Sequence, residues 1–535
     1  MKFYLLYRLS EIKRGWFGPD RSMIFGCFDP IGFDGMLKGG NPMVVEFADK
    51  YPLLKSYFED HSVVKQHLDS YNAFVSEGIH KIIENVGGVE TNVEGFDIKF
   101  GQLRIEKPMI IEADGAQRTV LPAEARLRNI TYAAPLFLEM IPYVNGVEKK
   151  GATEVFIGEL PVMLKSKLCH LENKTRSELI EAEEDPNDPG GYFIINGTEK
   201  VLVSIEDLAP NKLTVSREEH GERVISKVFS TRDGFRARCV VTRTKLGLLY
   251  LEFPMSPPNL IFTAVMKALG AKNNNKLLEL FSDERVIRND ILLNLEHDPT
   301  KTQEEALEYL GKRAAPGQPE EFQLNRVNML LDTYLLPHLG TDFEDREAKL
   351  YYLVEMAEKA ILVGNRMMKP DDKDHYGNKR VKLAGTLMEE LFRYAFQFLV
   401  RDIGYIASRA DARGRRLLVH NIVRPDVLAT RIKYGMSTGT WVGGQTGVSQ
   451  LLDRTSYIYS LSHRRRLISP LAKKHPHFKA RDLHGTHWGK ICPYETPEGA
   501  SCSLVKNLAL SVDVSIGEDP TEAERVLEEL GVQKV

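Results

Sequence analysis

The chain has 535 residues, of which 43% are apolar and 27% charged, and its formal net charge is −3. One hydrophobic core does not serve a chain of this length, so roughly two to four domains are expected. So small a net charge says nothing about partners, which have to be read from local charge. No apolar run reaches the length of a membrane span, and the short Phe3-Tyr-Leu-Leu-Tyr7 run is too brief for a signal-peptide core. Five scattered cysteines (Cys27, Cys169, Cys239, Cys492 and Cys502) never form a CxxC pair. That count fits a reduced, cytoplasmic protein without a closed zinc site.

Residues 1–42 carry Gly and aromatic residues without a sustained period and read as an N-terminal extension. Within them Gly32-Phe-Asp34-Gly35 reads as a turn, because a lone carboxylate does not hold a divalent cation. Between residues 58 and 83, Val63, Val64, His67, Leu68, Tyr71, Phe74 and Val75 recur at helical spacing and make one apolar stripe. Residues 89–165 alternate in short runs punctuated by Gly and Pro, the pattern of strands. Residues 124–132 read as one more strand, with Arg126 and Arg128 on one face. Acidic, proline-rich 181–189 reads as a solvated turn. Two apolar runs then flank Asn196-Gly197, the dipeptide that favours a type I′ hairpin.

Residues 212–378 read as a separate α+β module. Strand runs come first, followed by helical periods at 261–269, 276–281 and 304–312. Thr302 and Glu305 make a capping box. Leu350, Leu353, Val354, Ala357 and Ile361 stripe a further helix that stops at Gly364-Asn365. Asp371, Asp372, Asp374 and His375 are metal-ligand types, but Lys373, Lys379 and Arg380 are interleaved with them, and a salt-bridged turn is expected. A long amphipathic helix follows over 383–403.

Residues 427–481 hold ten bases (Arg431, Lys433, Arg454, Arg464, Arg465, Arg466, Lys473, Lys474, Lys479 and Arg481) against one acid, Asp453. This segment is +9 in a chain whose remainder is −12. A field of that sign attracts a phosphate backbone. It opens on a Gly-rich loop, 435–447, which contains no GxxxxGK[ST] and so is no triphosphate cradle. Just beyond, Arg481-Asp-Leu-His484-Gly-Thr-His487-Trp488-Gly-Lys-Ile-Cys492-Pro-Tyr-Glu495-Thr-Pro-Glu498-Gly499 packs mixed chemistry onto constrained backbone, the mark of a site rather than a core. His484, His487 and Cys492 are the best alternative for a metal, although their spacing is not that of a zinc finger. On the residues alone, a nucleic-acid-binding scaffold and a zinc enzyme both stay open.

His484-Gly-Thr-His-Trp-Gly489, Cys492-Pro-Tyr-Glu-Thr-Pro-Glu-Gly499 and Leu504-Val-Lys-Asn-Leu508 closely resemble the fork of the second-largest, beta-like subunit of multisubunit RNA polymerases. Segments 64–74, 124–132, 155–169, 191–203, 371–385, 433–441, 447–454 and 461–466 are similar to the same family in the same order. The resemblance implies an α+β, multidomain fold: a protrusion over 43–211 and 379–430, a lobe inserted at 212–378, a fork at 431–515, and a tail at 516–535 with a capped terminal helix. The early stop resembles the archaeal arrangement in which this subunit is split, the present chain being the N-terminal piece, B″, and B′ its companion.

It further implies a nucleotidyltransferase subunit that is inactive alone and binds no cofactor, the catalytic Mg²⁺ being held by the largest subunit, A′/A″. Template DNA and the RNA–DNA hybrid would be its nucleic-acid partners. Implied contacts are Gln450 and Arg466 at the hybrid, Glu498 near the incoming nucleotide, and fork loops at 437–448 and 471–480. Lys433, Arg454, Arg464, Arg465, Lys473, Lys474, Lys479 and Arg481 complete the expected nucleic-acid surface.

Overall fold

A computed structural model describes residues 51–532, apart from 92, 113–115, 150, 219–222 and 518–519. The N-terminal extension and its turn at Gly32–Gly35 therefore lie outside the described residues. Packing divides the chain into two units at Glu59/Asp60. Of the first, residues 51–59 are described; they lie in helix Tyr51–Asp60, with Tyr51, Leu53 and Leu54 exposed. No described helix is long and apolar enough to cross a membrane.

In the second unit the helical stripe comes in pieces: Lys65–Ala73 runs through a π-helical turn, Phe74–Gly78, into Ile79–Val86. Val64, His67, Tyr71, Phe74, Ile79, Ile82 and Ile83 are all buried. Tyr71, Phe74, Ile79, Ile82 and Ile83 share a core with an antiparallel sheet in which Phe96–Ile105 and Thr153–Pro161 flank Ala133–Val144. Helix Ala384–Asp411, two turns longer than its periodicity suggests, adds Leu387, Leu391, Phe392, Phe396 and Leu399 to that core. Each such side chain contributes about 1.5–3 kcal/mol when fully buried. The Asn196-Gly197 hairpin forms as expected between Phe193–Ile195 and Thr198–Leu202, with φ of 48° and 74° at the two turn residues.

One expectation fails here. Pro122–Leu127 is a helix, not part of a strand. Pro122 occupies its first turn, where a missing N–H costs nothing and the ring presets φ, and that local signal outweighs the alternation read over 124–132.

Residues 214–364 carry a second antiparallel sheet, in the order Thr214–Arg217, Val224–Arg232, Phe235–Arg243, Leu249–Glu252, Leu260–Ile261. Helix Arg346–Gly364 packs on it, and Val228, Cys239, Val241, Leu251, Phe262, Met266, Leu353 and Ala357 form a cluster of their own. Thr302 caps its helix by accepting from Glu305 N at 3.3 Å. Glu305 returns its bond to Lys301 N rather than to Thr302, so only half of the capping box is made.

A four-stranded sheet then gathers distant segments in the order Lys379–Lys382, Ser204–Leu208, Arg466–Ile468, Val505–Asn507. The strands that precede and follow residues 214–364 are thus hydrogen-bonded neighbours, and the C-terminal segment is stitched to them. Helix Pro520–Glu529 follows, with Leu527 and Leu530 exposed and Gly531 beyond it at φ 86°.

Candidate nucleic-acid interface

The fold sorts the ten bases of 427–481 into different duties. Arg464 ends the helix Tyr457–Arg464 with its side chain fully buried. Its guanidinium donates to Asp188 Oδ1 at 2.6 Å, to Gly190 O at 2.7 Å, and to Ser460 O and Oγ at 3.0 and 3.1 Å. Arg465 is buried beside it and donates to the carbonyls of Val63 and Ala509 at 2.7 and 2.6 Å. These two arginines are therefore not surface contacts. Apart from the Arg464 bonds to Ser460 in its own helix, the donors named hold the segment to the 188–190 turn and to the backbone at 63 and 509.

Arg454 reaches Glu199 at 2.7 Å and Asp188 at 3.0 Å. Glu199 also receives Arg126, which in turn meets Glu184 at 2.6 Å. The acidic 181–189 stretch is therefore only partly the solvated turn expected: Glu181, Glu183 and Asp185 are exposed, whereas Glu184 and Asp188 turn inward to these arginines. Asp188 is buried, and although burial opposes its charge, Arg464 and the Gly190 N–H hold its carboxyl below the usual range. Burial dominates at Glu184 and pushes that carboxyl up despite Arg126.

Lys433 is paired with Glu159 at 2.9 Å, and Arg431 lies 3.5 Å over the Phe398 ring. Arg481 donates to the carbonyls of Pro476, Ala500 and Cys502. Lys473, Lys474 and Lys479 stand exposed on the 471–480 loop. Arg466 is half-buried and leans on Tyr459. Gln450 bonds to Gly447 O and to His463. Three of the ten bases, Lys433, Arg454 and Arg464, are thus paired with acids from elsewhere in the chain, and Arg465 and Arg481 are spent on backbone carbonyls, so the positive surface left over is smaller than the count suggests.

The Gly-rich loop closes where Gly439, at φ 75°, sits against Ser449; a Cβ there would lie 2.5 Å from the Ser449 carbonyl. Beyond Ile468 the chain leaves the four-stranded sheet and returns at Val505, so residues 469–504 form one excursion. Glu498 is exposed on it. His484 Nε2 meets Asp372 at 2.9 Å, and His487 packs edge-on against Tyr376. Among the described residues no three His, Cys, Asp or Glu side chains stand together as a metal-holding group. His484 and His487 are engaged with Asp372 and Tyr376, and with no such group formed the zinc-enzyme reading has no geometry behind it among the described residues.

Three histidines of this region sharpen the acid response. Burial holds His67, His463 and His487 each at about 4, with nearby cations adding to it. They are neutral in the fold and take up protons in the unfolded chain below 6.5. Their contribution is whole above pH 6.5 and is lost as pH falls toward 4. Denaturant midpoints should decline across that window, before Glu206, held at about 2 against an ordinary 4.5, loses its share between pH 4.5 and 2. A midpoint flat from pH 6.5 to 4.5 would contradict this.

With this geometry in place, the comparisons with known proteins are decisive. The family described as RNA polymerase beta subunit matches residues 62–429, and RNA polymerase Rpb2, domain 3, matches 450–514. The chain is 49% identical over 490 residues to DNA-directed RNA polymerase subunit Rpo2N of Methanocaldococcus jannaschii, covering 90% of this chain and 98% of that one. It is 43% identical over 504 residues to Rpo2N of Halobacterium salinarum, 91% and 96% covered. A longer relative, subunit Rpo2 of Saccharolobus solfataricus, is 44% identical over 490 residues, 91% of this chain but 44% of its own length. The chain belongs to the RNA polymerase beta-subunit family.

The two family matches leave 430–449 between them, where the Gly-rich loop sits. The structure also reveals a basic face that charge-run counting missed. On the beta-subunit hairpin Val224–Arg232/Phe235–Arg243, Lys227 and Phe229 point to one side, as do Arg236 and Arg238, with Phe229 opposite Arg238. Lys227 and Arg236 lie 4.8 and 4.1 Å over the Phe229 ring. Burial first, then Lys373, Arg238 and Arg236, press the Lys227 ammonium below its usual range. The signal was present in the sequence as alternation within two strands, not as a run.

Proposed function

We propose that this chain is the N-terminal piece, B″, of a split second-largest polymerase subunit, contributing the protrusion (43–211 and 379–430), the lobe (212–378) and the fork (431–515) to the active-centre cleft. It is a subunit of DNA-directed RNA polymerase, a multisubunit nucleotidyltransferase. The observation that carries the split reading is the paired coverage: nearly all of one relative called Rpo2N, and 44% of a longer one called Rpo2. Its partners are then the companion B′ fragment and the largest subunit, A′/A″, in a cytoplasmic complex. The catalytic Mg²⁺ belongs to the largest subunit and no cofactor to this chain.

Within that assembly Lys473 and Lys474 face downstream DNA from the 471–480 loop, while Gln450 and Arg466 face the hybrid. Such contacts hold register without reading sequence. The Lys227, Arg238 and Lys373 face offers duplex phosphates a second surface. Concentrating like charges costs stability in the free chain and is offset when a polyanion arrives. Exposed Glu498 tunes cations around the nucleotide, which positions rather than performs chemistry.

Co-purification tests the assembly: tagged chain should recover B′ and the largest subunit in a complex that transcribes, and recovery of neither refutes the reading. In that complex Glu498→Ala should leave assembly intact and slow single-nucleotide addition by about tenfold, a fraction of what misplacement costs. Wild-type elongation by this variant would remove Glu498 from the site.

A further inference from the structure

One carboxylate stands at the root of the 469–504 excursion. Glu206, on the strand Ser204–Leu208, accepts from Ser469 Oγ at 3.1 Å, the first residue to leave the sheet. It also binds Lys506 Nζ at 2.9 Å, just after the chain has returned. From the other side Lys379 Nζ and Tyr376 Oη reach it at 2.7 and 3.0 Å. Those two belong to the connection that leaves the 214–364 sheet and helices. The same connection touches the excursion again: Tyr376 N donates to Thr486 Oγ1 at 2.9 Å, and Asp372 meets His484.

Glu206 is 3% exposed and Lys506 5%. Burying such charges costs several kcal/mol, and an apolar junction would hold two strands as well or better. What a carboxylate with four directed partners adds is a fixed exit angle. That matters here because 470–476 and 493–500 are exposed, and the bonds that steady them, Arg481 to Pro476 O and Ala500 O and Thr496 Oγ1 to Val505 O, tie the excursion to itself and to its own root.

We propose that Glu206 is a positioning residue for nucleotide addition: by clamping both ends of the excursion and tying them to Tyr376 and Lys379, it sets where Glu498 stands. This rests on the polymerase reading above. Movement of the 214–364 module would reach Glu498 through the same carboxylate.

The test uses reconstituted polymerase carrying Glu206→Gln, Glu498→Ala, both together, and Glu206→Gln/Lys506→Gln. Glu206→Gln should slow single-nucleotide addition by about tenfold at saturating nucleotide, the scale of a sub-ångström misplacement. Because it acts through Glu498, the Glu206→Gln/Glu498→Ala enzyme should be no slower than Glu498→Ala alone. Adding Lys506→Gln removes one buried cation left without its carboxylate, so it should recover the thermal midpoint while the rate stays low. Multiplying defects in the first pair, or a rate that recovers with the midpoint in the second, would make Glu206 merely structural and overturn the proposal. If Glu206→Gln alone fails to assemble, the Lys506→Gln double variant carries the same comparison with Glu498→Ala. An unmodified chain that never enters a transcribing polymerase sinks the polymerase reading and this one with it; failure confined to the variants' pattern sinks only this one.

Discussion

Asp188→Ala is expected to destabilise the second unit by about 3–5 kcal/mol, the range for a buried ion pair that loses one partner. The reason is Arg464. Its side chain is fully buried, and its charge is answered by Asp188 at 2.6 Å, with the remaining donors on Gly190 and Ser460. Without the carboxylate a guanidinium that cannot be deprotonated stays in the core. Arg454 loses one of its two acids as well but keeps Glu199 and stays part-exposed, so its share is small. Asp188→Asn/Arg464→Met should recover much of the loss, because removing both charges removes the imbalance. Denaturant midpoints measure both. A single-variant loss below about 1 kcal/mol would mean water reaches Arg464 and that the pair is a surface one after all.

That pair also shows what the sequence could and could not disclose. The α+β character of 212–378, the 58–83 stripe, the Asn196-Gly197 hairpin and the 346–364 helix are set by neighbours within a few residues, and periodicity and turn chemistry reach them. Arg464 and Asp188 are 276 positions apart. Counted separately, one sits in a basic run and the other in an acidic turn, and each looks solvated. Only the fold shows that the two segments neutralise each other. The same blindness affects Glu206, an ordinary acid in a strand until Lys379, Ser469 and Lys506 arrive from elsewhere. Conversely, Arg236 and Arg238 are within reach of a period-two reading but escape charge counting because they do not form a run. The family resemblance is legible because it rests on ordered local motifs, which do not depend on long-range pairing.

The relocation of positive surface has a direct consequence for DNA binding. In the assembled polymerase, Lys227→Gln, Arg238→Gln and Lys373→Gln together should flatten the dependence of log association constant on log salt, by about 0.9 for each duplex phosphate no longer neutralised. Arg236 is left in place because it is already paired with Asp207 at 2.8 Å. Lys473→Gln/Lys474→Gln should flatten the slope in the same way, since both lysines are exposed at the tip of their loop. Arg464→Gln should leave the slope unchanged while lowering stability, because the salt term counts phosphates neutralised and a fully buried guanidinium neutralises none. Titrating DNA release against salt for the three variants separates the alternatives. A slope that responds to Arg464 and not to Lys227, Arg238 and Lys373 would return the interface to the basic run and remove it from the hairpin face.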